Sequence, residues 1–336
     1  MVVRSPGEIL ATLDADGTLD GMPFMPEMLE WCGKPFRVER RAEKTCVDVP
    51  PPEYPNRRFA ANDVVFLEDL RCDGRSHDGC GRACKIFWKE AWLRRDDSAA
   101  TSTRAFSRAE SDELLARLKT KVDDSRYFCQ STELFTATEE FPGNKSLWRV
   151  RTMVQEVRNG DRSLPEVLRF SAVWLWQKGL RTSLRLVNGD QRLRGPHDRA
   201  PVMSLNLVPG ERVRIKSRPE LQATLDSKRA NRGLKVCQEM TRCFGAEAEV
   251  RERVERIINE RNGEMIEFRN TVSLRNVRKN GSTMDDSQCL CAYEPGDCPR
   301  GELMSPFFRS SESPSAVTNP PKQIDWTMIP GIRKST

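Results

Sequence analysis

The chain has 336 residues, 31% charged and 38% apolar, enough for two or three compact domains with modest cores. Eleven cysteines exclude a closed set of disulfides by their odd number, and a net charge of +6 does not by itself indicate a nucleic-acid binder. The opening stretch MVVRSPGEILATLDADG is interrupted by Glu8, Asp14 and Asp16 and does not read as a secretory signal. A soluble cytoplasmic protein is therefore expected, with reduced cysteines that serve as metal ligands or buried thiols.

An internal repeat organises the chain. Residues 2–41 align without a gap on 214–253. Twelve of the forty positions are identical: Ser5, Glu8, Ala11, Thr12, Leu13, Asp14, Gly21, Glu27, Met28, Gly33, Val38 and Arg41, with their partners. Chance would supply roughly two or three on ordinary composition. VVFLEDLRCDG (64–74) then matches TVSLRNVRKNG (271–281) after a five-residue shift. Two copies so far apart imply two homologous domains, since a solenoid repeats every few tens of residues.

Each copy begins with a short β segment, Arg212 to Ile215 in the second. A stretch with helical spacing comes next, EILATLD or ELQATLD, and then a turn marked by Gly21 or Gly233. In the first copy PEMLEWCG reads as a helical turn, entered at Pro26 and stopped at Gly33. Alternating segments come after it, FRVER and AEVRERVERII, and Asn262-Gly263 marks a hairpin in the second copy. Short strands with tight turns predict an SH3-like barrel in each copy. The expected fold is α+β, two small homologous β-rich domains (1–98 and 205–310) joined by a helical region (99–204), with a disordered tail (311–336).

The first copy closes with LEDLRCDGRSHDGCGRACKIFWKEAWLRR (67–95). Cys72, His77, Cys80 and Cys84 fall within thirteen residues on a loop rich in Gly and Asp. Four such ligands that can converge make a tetrahedral site: zinc suits three thiolates with an imidazole, or four thiolates, and an iron–sulfur cluster needs mostly thiolate. Cys129, in RYFCQSTEL, or Cys46 can replace His77 as the fourth ligand. Packing of reduced cysteines under the tryptophans is the competing structural explanation. Trp88 and Trp92, four apart, would line one face of a helix.

In the middle region Ser107 and Glu110 stand at capping-box spacing before SDELLARLKTKV, a predicted helix. Ser163 and Glu166 repeat that spacing before LPEVLRFSAVWLWQKGL, apolar nearly all round from Val167 to Trp176. That run is far short of the ~20 residues that span a bilayer, so a helix buried between the domains is expected and no transmembrane segment. Segment 178–199 carries six Lys or Arg against two Asp and reads as a solvated linker; RNA or DNA binding through it is the alternative. The second copy supplies Cys289, Cys291 and Cys298 after its last strand, a second set of candidate ligands, followed by Phe307 and Phe308. The tail from about Ser305 is rich in Ser and Pro and is expected to lack order over much of its length.

Two resemblances bear on function. ILATLDADGTLDG (9–21) resembles the first motif of the haloacid-dehalogenase phosphatases, an apolar strand followed by D-x-D-G-T. The resemblance implies Asp14 as nucleophile, Asp16 as acid and base, and a carboxylate-bound Mg2+. The second copy keeps Asp226 but has Arg229, Ala230 and Asn231 in place of Gly17, Thr18 and Leu19. GEILATLDADGTLDGMPFMPEM, CDGRSHDGCGRACKIFWKEAWLRR and RYFCQSTEL are similar to motifs of an uncharacterised bacterial protein family, and that similarity implies no activity.

The duplicated plan, and only two histidines in the whole chain, point to a non-enzymatic binding or scaffold protein with Cys-rich metal loops. The expected ligands are Cys72, His77, Cys80, Cys84, Cys289, Cys291 and Cys298. Zinc is the expected metal, an iron–sulfur cluster the alternative, and a protein or peptide the expected partner.

Overall fold

The computed structural model describes residues 1–42, 45–47, 56–95, 106–140, 205–227 and 243–275. It adds short pieces between 151 and 198 and residues 230–231, 234–235 and 308–310. Left-handed residues recur along the chain, among them Asp20, Gly21, Gly33, Asn62, Asp69, Gly74 and Asp78, and the strands between them are correspondingly short.

In chain order the first part contains β1 (Val2–Val3), α1 (Pro6–Leu10), β2 (Thr18–Leu19), β3 (Met22–Pro23) and a 3-10 helix at Pro26–Trp31. Next come β4 (Val38–Arg41), β5 (Thr45–Cys46), β6 (Asn56–Arg58), β7 (Val64–Leu67) and β8 (Trp88–Lys89). A second 3-10 helix (Glu90–Trp92), β9 (Leu93–Arg94), α2 (Arg108–Arg117), α3 (Gln130–Glu133) and β10 (Glu139–Glu140) complete it. The second part has β11 (Arg212–Ile215), α4 (Arg218–Gln222), β12 (Ala230–Asn231), β13 (Leu234–Lys235) and β14 (Glu247–Arg253). It ends with β15 (Arg256–Ile258), β16 (Met265–Glu267), β17 (Val272–Leu274) and β18 (Phe308–Ser310).

The fold is mixed, with small sheets and few helices. The sheets run β1-β9, β4-β7-β8, β10-β6-β5 and β17-β14-β11-β18, with two-stranded hairpins β2-β3, β12-β13 and β15-β16. No closed barrel forms among the described residues, contrary to the SH3-like expectation. Closure needs strands long enough to tilt and stagger around an axis, and most of these have two to four residues.

Local structure recurs 212 residues on. In α1 the Ser5 N–H and hydroxyl both donate to Glu8 Oε2, at 2.9 and 3.0 Å; in α4 Ser217 donates likewise to Glu220, both at 2.9 Å. Each satisfies amide donors that a helix start leaves open. Thr12 and Thr224 both return their hydroxyl to the carbonyl three residues back. β4 pairs with β7 as Val38 to Leu67 and Arg40 to Phe66, with a bulge between Val38 and Arg40. β14 pairs with β17 as Val250 to Leu274 and Glu252 to Ser273, with the bulge between Val250 and Glu252. Val3 pairs with Leu93, and Ile215 with Phe308, so a strand from the Ser- and Pro-rich tail occupies the place of β9.

The cores do not divide where the copies do. Leu207, Val213, Ile215, Leu221, Leu225, Val250, Val272 and Leu274 form one cluster. Val254, between β14 and β15, and Ile257 and Ile258, from the β15–β16 hairpin, belong instead to the larger cluster built on Phe24, Phe66, Phe87, Trp88 and Trp92. Trp88 and Trp92 are fully buried but share no helix: one lies in β8 and the other in a 3-10 turn. Phe24 sits edge-on to Trp92 with ring centres 5.2 Å apart, and Gln130 holds the adjacent Phe87 backbone by both its N–H and its carbonyl, each at 2.8 Å. The expected helix after Ser163 is helical at its described positions, yet Leu164, Leu168 and Trp176 are exposed there rather than buried between domains. No helix among the described residues is long and apolar enough to cross a membrane.

Candidate metal centre

The Cys-rich loop is closed at its stem. Arg71 bridges Lys85, and the Cys72 N–H donates to the Cys84 carbonyl at 2.9 Å, which sets the two cysteines across from one another. Between them the chain turns back on left-handed residues at Gly74, Asp78, Gly79 and Ala83. Gly74 is required on space as well: a Cβ there would lie 2.2 Å from the Cys80 carbonyl oxygen. Its own carbonyl accepts the N–H groups of His77 and Gly79, both at 3.0 Å. The resulting coil turns His77 inward, where it is almost completely buried.

Glu27 meets it from the first 3-10 helix. Its Oε1 accepts from His77 Nδ1 at 2.7 Å and from the Ser76 N–H at 3.2 Å, and the Cys72 sulfur lies at 3.9 Å. His77 Nε2 faces the Phe128 carbonyl at 3.1 Å. Burial pushes the Glu27 carboxyl up, but the hydrogen bond and charge of His77 outweigh it and hold the group below its ordinary value. Its second oxygen, Oε2, is buried with no hydrogen-bond partner, an arrangement that is costly unless something else satisfies it.

Glu27, Cys72 and His77 form a buried group that can hold a metal ion. Among the described residues they are the one set of three or more whose ligand atoms all lie within 4.8 Å of one another. Cys80, Cys84 and Cys129 do not meet that spacing, but they line one small cavity with Cys72 and His77, and its volume is about 20 Å3. That is room for about one water-sized occupant. Burial above all raises the Cys72, Cys84 and Cys129 thiols, Cys129 to about 12; the Glu27 charge adds to it at Cys72, and neighbouring thiols add to it at all three. A nucleophilic thiol needs a lowered value, the opposite of the direction at Cys72, Cys84 and Cys129.

Three parts of the chain meet here. The Ile258 N–H reaches the Cys80 sulfur at 3.3 Å, and the Gly81 N–H donates to the Arg256 carbonyl at 2.9 Å. Arg82 is buried, donating to the Ile258 carbonyl at 2.7 Å and pairing with Glu260. The Tyr127 N–H donates to Gly263 at 2.8 Å, at the turn of the same hairpin.

The other candidates fall elsewhere. Asp14 follows a helix where the phosphatase motif has a strand. Its carboxylate is taken up by the Thr18 hydroxyl and by the N–H groups of Thr18 and Asp16, while Asp16 pairs with Lys119. Cys289, Cys291 and Cys298, the Cys46 side chain and residues 178–194 lie outside the described residues. Glu27 was not among the expected ligands, although it is one of the twelve positions that both copies share. Comparison with protein families, curated proteins and solved structures found no match.

Proposed function

We propose that the chain is a non-enzymatic binding or scaffold protein in which a metal ion, zinc, stiffens the Cys72–Cys84 loop. The observation that carries this is the burial of Glu27 and His77 beside Cys72, with further thiols around a cavity of one-ion size. A site enclosed by core residues from three parts of the chain suits a staple better than a reaction centre, which needs access for substrate and a thiol of lowered pKa. The shared registers and bulges support reading 1–98 and 205–310 as two copies of one module, with a protein or peptide as partner. Reduced thiols fit a cytoplasmic setting. Elemental analysis of the purified full chain tests the metal, with about one zinc per chain expected and less than half an equivalent of any metal rejecting it. A visible absorption band would identify an iron–sulfur cluster in its place.

A further inference from the structure

We propose that Cys72 Sγ, His77 Nδ1 and a Glu27 carboxylate oxygen bind the ion directly, with one water as the fourth ligand. This rests on reading the loop as a metal site and goes on to name its ligands. It sets Cys80, Cys84 and Cys129 outside the ligand set and makes the centre a clamp between the loop and the Pro26–Trp31 helix.

The three groups already stand together. Glu27 Oε1 lies 2.7 Å from His77 Nδ1 and 3.9 Å from the Cys72 sulfur, and one ligand atom from each residue falls within 4.8 Å of the other two. Bonds of ~2.3 Å to sulfur and ~2.0–2.1 Å to nitrogen and oxygen place tetrahedral ligand atoms about 3.3–3.6 Å apart. Shifts of roughly half an ångström at these two contacts therefore admit the ion.

The present partners of these groups fit that exchange. His77 Nε2 faces the Phe128 carbonyl at 3.1 Å, so a proton on Nε2 leaves the Nδ1 lone pair for the metal. Outer contacts of this kind orient ligand histidines. Glu27 Oε1 accepts the Ser76 N–H at 3.2 Å, and Oε2 is buried without a hydrogen-bond partner. One oxygen can keep Ser76 while the other takes the ion, which leaves neither unsatisfied. No fourth His, Cys, Asp or Glu atom joins the three at that spacing among the described residues. Cys72 and His77 also line the cavity, which has room for about one water to complete the shell.

The charges close as well. On binding, the proton between Nδ1 and Glu27 and the thiol proton of Cys72 leave to solvent. The nitrogen and sulfur lone pairs go to the metal, and no oxidation state changes. A divalent ion with one thiolate, one carboxylate, a neutral imidazole and a water is uncharged as a whole. Such a centre needs no counter-charge in a buried place, and the Arg82–Glu260 and Lys85–Glu39 pairs stay as they are.

X-ray absorption at the zinc edge of the zinc-loaded full chain counts the ligands. One sulfur at ~2.3 Å with three nitrogen or oxygen atoms at ~2.0–2.1 Å is expected. Two or more sulfurs overturn the proposal while leaving the metal site standing, whereas a chain that takes up no metal overturns the underlying reading. In parallel, Glu27→Gln is expected to lower Zn2+ affinity by about tenfold or more, and Cys129→Ser to keep both the affinity and the one-sulfur shell. Undiminished affinity in Glu27→Gln, or a sulfur lost from the shell in Cys129→Ser, would sink the proposal.

Discussion

The Ile258 backbone N–H lies 3.3 Å from the Cys80 sulfur, joining residues 178 positions apart. Through this contact the β15–β16 hairpin meets the thiol-rich loop. An ion that binds the folded loop stabilises whatever packs against it. Metal loading should therefore tighten the hairpin as well as the loop. Amide exchange at Ile258 in the full chain is expected to slow on adding Zn2+ and to return on chelation; exchange that ignores the metal would contradict this coupling.

The glycines of the loop offer a paired test of its geometry. Gly74 and Gly79 both have positive φ, but a Cβ at Gly74 would overlap the Cys80 backbone, whereas at Gly79 it meets nothing within 4 Å. Gly79→Ala then carries only the left-handed penalty, ~1–2 kcal/mol. Gly74→Ala should cost more in urea denaturation and should also weaken Zn2+ binding. Equal losses for the two would show that the loop relaxes freely.

The tryptophans differ in how their ring N–H groups are used. Trp92 Nε1 donates to the Thr12 hydroxyl at 3.1 Å, while Trp88 Nε1 is buried with no partner. Trp92→Phe loses a hydrogen bond as well as volume. Trp88→Phe loses volume but removes an unsatisfied donor, which offsets ~1–3 kcal/mol of its cost. Thermal denaturation should rank Trp92→Phe as the less stable variant, and the reverse order would be evidence against the described packing.

How much of this was legible in the residues varied from place to place. The Ser107–Glu110 box starts α2 as its spacing implies, because capping depends on three neighbouring residues and little else. The Cys-rich loop was visible as a cluster, and the Gly and Asp around it told of tight turns. Trp88 and Trp92 misled because four-residue spacing also suits a strand followed by a 3-10 turn; pairing of Trp88 with Val65 decides the matter. Glu27 passes for an ordinary acidic residue in a first helical turn after Pro26, and only its burial against His77 sets it apart. That the second hairpin joins the first core was beyond reach, since it depends on contacts across most of the chain.

Acid should expose the Asp14 turn. Burial raises this carboxyl, but hydrogen bonds from the Thr18 hydroxyl, the Thr18 and Asp16 N–H groups and the charge of Lys119 outweigh it and lower its pKa. A depressed folded value means the stabilisation is present above the unfolded value of about 3.9 and is lost as pH falls through the folded one. Asp14→Asn should therefore lose less stability than the parent between pH 6 and pH 3, as measured by urea midpoints. Parallel acid limbs in the two proteins would remove Asp14 as a contributor.

Arg82 and Glu260 provide the strongest test of the contact between the Cys-rich loop and the β15–β16 hairpin. Their side chains are 8% and 2% exposed, and the pair ties the loop to the hairpin. Removing one partner leaves a buried charge, so Arg82→Met or Glu260→Gln should each cost ~3–5 kcal/mol. The double variant removes both charges and should recover much of that loss, giving a coupling energy well above the ~0.5 kcal/mol expected for independent sites. Additive losses would mean that the two side chains do not meet in solution, and the loop would then have to be held by its own turns.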